Sequence, residues 1–216
     1  MDDPLRMFLV VRRGALATIA RGGELAGAAA VRCVQAFAGD ERFADDVATW
    51  RSRPGKVTLR ARGGQWPQVL AEEPHVLAGE PDGEAVAALP PRRRSARGPL
   101  LERLQAMTTA LDPPPERVEP DPGRVTYLLN PRLDMSSGKT LAQIAHAAVI
   151  AADGGGLEDW IAAGCPAQVA MPAQAAFDAM CVSDGLAARV VDAGLTEVAP
   201  GTVTVLALPP GVEVGE

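Results

Sequence analysis

Lys139, Gln143 and His146 stand at i, i+4 and i+7 in the run Ser136-Ser137-Gly138-Lys139-Thr140-Leu141-Ala142-Gln143-Ile144-Ala145-His146. At about 100° per residue they fall on one stripe of a helix. A cation, an amide and an imidazole in line, just past a serine-glycine turn, suit an anionic or carbonyl ligand. His146 has a side chain that titrates near neutrality unaided, so it can accept or orient the proton of a water. Lys139 sits at a helix start, where free amides and the dipole favour negative charge, so it can meet a phosphate or a developing oxyanion. An ordinary amphipathic helix with a solvated face would show the same stripe, and a second stretch therefore carries weight. Residues 190–206 read as strand, polar loop and strand, and the loop adds the carboxylate of Asp192 and the hydroxyl of Thr196. Ester cleavage needs such a set: a water, a group to take its proton, and donors where the carbonyl oxygen gains charge. Ser136 and Ser137 lie in no Gly-x-Ser-x-Gly elbow, which argues against a serine nucleophile.

The elements that must position these groups are legible. Ser136 or Ser137 can cap the free amides of a helix built of Ala, Leu and Gln, and Leu141, Ile144, Ala145, Ala148 and Val149 cover its other side. An apolar strand over 125–129 precedes it.

Strand, Gly-Lys turn, Ala-Gln-x-x-His-Ala helix, Asp-Ala-Gly-x-Thr loop and Ala-Pro-Gly-x-x-Thr-Val strand follow one another over residues 124–210. In that order they resemble the type 2 peptidyl-tRNA hydrolase family, which cleaves the ester joining a peptide to the end of a tRNA. The resemblance implies functional roles for Lys139, Gln143, His146, Asp192 and Thr196, with Gly138 beside the substrate. It also implies peptidyl-tRNA as substrate, no cofactor or metal, and neither DNA nor a membrane as partner. Domains of that family commonly pair as homodimers. Three cations of the family pattern are absent: Asn130 stands for the arginine after the first strand, Ser137 for the first lysine of the turn and Leu195 for the arginine before the threonine, while Glu197 stands for the glutamine after it. A non-catalytic RNA-binding or protein-binding module that keeps the fold is the alternative these losses leave open.

The chain has 216 residues, 47% of them apolar and 22% charged, enough for one large domain or two small ones. It contains no apolar run of about 18 residues, and Met1-Asp2-Asp3-Pro4 is acidic where a secretion signal would be basic, so a cytoplasmic location is expected. Three cysteines without paired spacing and two histidines support neither a disulfide scaffold nor a zinc site. Only two lysines, Lys56 and Lys139, occur among 21 basic residues, a composition that reads as codon bias of a GC-rich genome. The net charge of −6 is uneven: residues 124–216 hold 4 basic and 10 acidic residues, against 17 of each in residues 1–123. The motif-bearing half is therefore the acidic one, which counts against its gripping RNA alone.

The first half reads as strand (5–11), alanine-rich helix (24–37), helix (43–50), strand (56–60), helix (65–72) and strands at 75–78 and 85–89. That order repeats in the second half, with helices at 157–163 and 172–183 and strands at 167–171, 188–192 and 203–208. Leu9-Val10-Val11 lies against Tyr127-Leu128-Leu129, Trp50 against Trp160, and the run from Val86 against the run from Val205. The expected fold is α/β, a three-layer αβα arrangement with a mixed sheet of about four strands, present twice in tandem. The expected organisation is a degenerate domain over 1–91, a linker over 92–123 and the site-bearing domain over 124–216, an intramolecular pseudo-dimer within a monomer. In this alignment Gly23, Gly27 and Ala30 occupy the places of Lys139, Gln143 and His146, which leaves the first copy empty of acid-base chemistry. The linker is rich in proline, contains a helix over 99–111, and carries Arg92, Arg93, Arg94 and Arg97, the densest positive charge in the chain and a candidate phosphate grip.

Overall fold

The structure, a computed structural model, describes residues 3–194 and 197–213. The first half runs β1 (Leu5–Arg12), α1 (Ile19–Ala38), α2 (Ala44–Ser52), β2 (Lys56–Ala61), α3 (Gln65–Glu72), β3 (Val76–Gly79) and β4 (Ala85–Arg93). A 3₁₀ turn (Arg94–Ala96), α4 (Gly98–Arg103) and the short β5 (Gln105–Ala106) follow. The second half runs β6 (Val125–Leu129), α5 (Ser137–Asp153), α6 (Glu158–Ala162), β7 (Ala167–Ala170), α7 (Gln174–Cys181), β8 (Ala188–Val191) and β9 (Val203–Leu208).

Two mixed sheets result, with strand orders β3-β4-β1-β2-β5 and β7-β6-β9-β8. Leaving β5 aside, the orders are the same: the first strand of each half pairs parallel with the second and antiparallel with the fourth, and the third closes the far edge. The registers agree as well. Leu9 faces Ala88 and Val11 faces Val86 in one sheet, as Tyr127 faces Ala207 and Leu129 faces Val205 in the other. Near the end of α2 the Trp50 indole N–H donates to the Gly55 carbonyl (2.8 Å), which also accepts from the Met7 amide of β1 (2.9 Å). Trp160 and the Val125 amide of β6 converge in the same way on the Pro166 carbonyl, at 2.8 and 3.2 Å. The two sheet-containing halves thus fit a tandem arrangement.

Strands β1 and β6 are apolar nearly throughout because both of their faces are covered. Between the sheets lies the main core, where α1 and α5 pack on each other and on the inward residues of both sheets: Met7, Leu9, Tyr127, Leu141, Ile144 and Val205 among them. The outer face of the first sheet is closed by Trp66 and Val69 of α3 and by Leu100 and Leu101 of α4. Phe177 of α7 closes that of the second. Three glycines let α1 approach so closely. A Cβ at Gly22 would come within 3.0 Å of Leu141, one at Gly23 within 2.6 Å of Ile144, and one at Gly27 within 3.1 Å of the Tyr127 hydroxyl.

Three expectations differ from what is observed. Helix α1 begins at Ile19 because Thr18 caps it, accepting from the Arg21 amide at 3.1 Å as Ser136 accepts from Lys139 at 3.2 Å. Counted from the caps, the counterparts of Lys139, Gln143 and His146 are Arg21, Leu25 and Ala28, two residues earlier than an alignment on the alanine-rich helix bodies places them. Arg21 is engaged with Glu24 and Glu84, and Leu25 and Ala28 carry no acid-base group. Second, β4 continues through Pro90, Pro91, Arg92 and Arg93 and pairs Arg92 and Arg93 with Arg6 and Leu5. Third, the helix expected over 99–111 stops at Arg103, and the chain turns extended at Leu104 so that β5 can hydrogen-bond the open edge of β2.

The segment after β5 is stitched to both halves rather than free. Met107 donates to the Thr58 carbonyl, Asp112 exchanges backbone bonds with Ala17 and Ile19, and Pro115 accepts from Met171. Among the described residues no helix is long and apolar enough to cross a membrane, and no cluster of His, Cys, Asp and Glu could hold a metal ion.

Candidate active site

Helix α5 starts beside the loop that follows β8, because β6 and β8 flank β9 and the chain leaves β6 and β8 at the same end of the sheet. Asp192 begins that loop and is buried, 8% exposed. Its Oδ2 accepts from Lys139 Nζ at 2.5 Å and from Gln143 Nε2, while Oδ1 accepts from the Gly194 amide at 2.7 Å. Burial alone would raise the Asp192 carboxyl. The hydrogen bonds from Lys139, Gly194 and Gln143 and the charge of Lys139 outweigh it and hold the group below the usual carboxylate range. One turn beyond Gln143, the half-buried His146 lines the same cleft. Burial above all pushes its imidazole down to about 3, so the ring is neutral near pH 7.

The cleft encloses about 330 Å³ and is built by both halves. Lys139, Gln143, His146, Asp192 and Glu197 line it from the second half, and Arg6, Gly55, Lys56 and Thr58 from the first. Of the residues expected at the site, Lys139, Gln143, His146 and Asp192 come together here. Thr196 lies outside the described residues. Gly138 lines the cleft but serves close packing: a Cβ there would meet the Met107 carbonyl oxygen at 2.5 Å, and its own carbonyl accepts from Thr58 Oγ1 at 2.9 Å.

The expected arginine grip is distributed differently. Arg92 is held in a half-buried ion pair with Glu73 at 2.7 Å, and Arg93 reaches the Asp3 carbonyl. Arg94 and Arg97 line a second groove, and Arg6 and Val57 belong to both this groove and the cleft. Two of the family's missing cations also have local explanations. Asn130 closes a turn, donating to the Val203 carbonyl at 2.8 Å, and Ser137 accepts from the Leu111 amide at 2.9 Å, anchoring the linker. Glu197 bonds Ser136 twice, from its amide (2.7 Å) and its hydroxyl (2.9 Å), and fastens the loop to the start of α5.

Sequence reasoning missed Arg6, Lys56, Thr58 and Glu197. A signal existed for Lys56: both lysines of an arginine-rich chain line this one cleft.

A four-stranded mixed sheet flanked by helices, with a carboxylate, an ammonium and an amide locked together over a cleft at the strand ends, makes the second half a small α/β unit with a polar cleft. Residues 124–214, the second half of the chain, match the model of the family described as peptidyl-tRNA hydrolase PTH2. No solved structure matches the chain.

Proposed function

We propose that this protein hydrolyses the ester between peptide and tRNA in peptidyl-tRNA, in the cytoplasm, with the second half carrying the reaction and the first half serving as its built-in partner. The observation that carries the reading is the convergence of Lys139, Gln143, His146 and Asp192 on one cleft inside the region that the family model matches. Asp192 spends its oxygens on Lys139, Gln143 and Gly194, so it aligns the cation and the amide rather than taking a proton itself. His146, neutral near pH 7, accepts a hydrogen bond from the attacking water and orients it, and the proton that the water loses passes to the departing ribose oxygen of the tRNA. Lys139 and Gln143 face the ester and its flanking groups, and Thr196 keeps the substrate-positioning role that the family resemblance implies for it. The common strand order, shared register and repeated tryptophan contact support descent of the two halves from one duplicated domain.

The test is release of a labelled peptide from peptidyl-tRNA by the purified chain. Turnover is expected, and Lys139→Ala and His146→Ala each lower it by about two orders of magnitude. Changes at Arg32, remote from the cleft, leave it unaltered. No turnover by the parent protein, with tRNA binding intact, would put the non-catalytic module in its place.

A further inference from the structure

The first half does more than cover the cleft. Lys56 opens β2, and its Nζ is enclosed with no hydrogen-bond partner among the described residues. It lies 4.5 Å above the centroid of the Trp50 ring and lines the cavity that His146 also lines. A buried ammonium without an anion is costly, and structures keep such groups where a ligand or a reaction uses them. The residue type adds a second argument. This chain uses arginine for 19 of its 21 cations, and its two lysines both face this cavity. Guanidinium stays charged wherever it is placed, whereas an amine can shed its proton when enclosed and take it back when an anion arrives.

We propose that Lys56, supplied by the first half, is an anion-binding residue of the cleft that receives a substrate oxygen which carries or gains negative charge. The substrate's identity rests on the function proposed above; the assignment of Lys56 rests on the cavity. The surrounding charges leave the role open to a ligand. Lys139 is taken up by Asp192 at 2.5 Å, and Asp153 at the end of α5 is paired with Arg51 at 3.1 Å. His146 is neutral, and Arg6 is a second cation on the same wall. Burial drives the free Lys56 amine toward its uncharged form, with Asp153 only partly opposing it, so anion binding brings proton uptake.

Two sources supply such an oxygen: a phosphate of the RNA chain, or the ester carbonyl as it becomes an oxyanion. Lys56→Met keeps the buried stem and removes the amine. If the partner is a phosphate, the variant raises KM about tenfold or more and holds kcat within twofold; if it is the oxyanion, kcat falls about 100-fold and KM holds. Both parameters within twofold of the parent would overturn the proposal while leaving the hydrolase reading intact. The unaltered protein supplies a measurement independent of turnover and of the variant's folding. Trinitrobenzenesulfonate at pH 7.5 should label Lys56 slowly, because its Nζ is enclosed, and peptidyl-tRNA or deacylated tRNA should slow that labelling at least fivefold further. Labelling that neither RNA slows overturns the proposal too.

Discussion

Asp192 and His146 divide the work of the cleft by their hydrogen bonds and their burial. The carboxylate is an anchor with its lone pairs committed, and the imidazole is a neutral acceptor. Both make stability depend on acid in the same direction. His146 has a folded pKa of about 3 against 6.5 for the free group, so between those values the unfolded chain binds the extra proton and stability falls as pH is lowered. The slope from this group is up to about 1.4 kcal/mol per pH unit. Asp192, held below 3.8, adds a loss that begins as pH drops to about 3.8 and is complete below its folded value. The melting temperature should therefore decline from pH 6.5 to 4, and His146→Gln should flatten that decline; equal slopes in the two proteins would refute the assignment. Asp192→Ala leaves the Lys139 ammonium, 16% exposed, without its anion, and should cost about 3 kcal/mol in denaturant unfolding. The spacing of Lys139, Gln143 and His146 was legible because it lies within one helix. Lys56 was not, since its neighbours come from another half of the chain and no local period records them.

At the scale of elements, the start of α5 is held from three directions. Ser136 caps it and is itself gripped by Glu197, Ser137 takes the Leu111 amide, and Met107 rests on Gly138. Gly138→Ala drives a methyl into the Met107 carbonyl, which belongs to backbone and cannot swing aside. Such overpacking costs about 1–3 kcal/mol, so a lower unfolding midpoint is expected, together with faster proteolysis in 105–112. A parent-like midpoint would show that the linker yields freely. Most strands and helices were readable from apolar runs, and β9 and α3 appear at the residues expected. The misreadings cluster at 90–111. Pro90 and Pro91 look like linker, yet β3 pairs β4 only as far as Ala88, and the register with β1 shifts between Arg6 and Phe8. Proline is tolerated at such a free edge and irregularity. The departure of the chain into β5 is set by an unpaired edge of β2, a tertiary demand that composition does not carry.

Over the whole molecule, the acidic half holds the proposed reacting groups and the first half brings the cations Arg6 and Lys56 to the same cleft, with Arg94 and Arg97 along the adjoining groove. Arg94→Ser with Arg97→Ser should weaken deacylated tRNA binding and reduce the slope of log affinity against log salt by about 1–2, through fewer released counterions. Arg92→Ser, which removes a cation already paired with Glu73, should leave that slope unchanged. Equal slopes in all three proteins would remove the groove from the RNA path. The packing of α1 on α5 has a consequence for self-recognition. Leu141 and Ile144 fill hollows at Gly22 and Gly23, but the cap-aligned counterparts of those glycines are Thr140 and Leu141, and the counterpart of Ile144 is Ala26. Two second halves set face to face would collide, and two first halves would leave a void. A symmetric pair obliges every interface residue to tolerate its own twin; two unlike halves in one chain carry no such obligation. Leu141 and Ile144 fit the glycines of α1 and not their own counterparts, so separately produced 1–123 and 124–216 should assemble one to one when mixed and stay unpaired alone, as sedimentation would show.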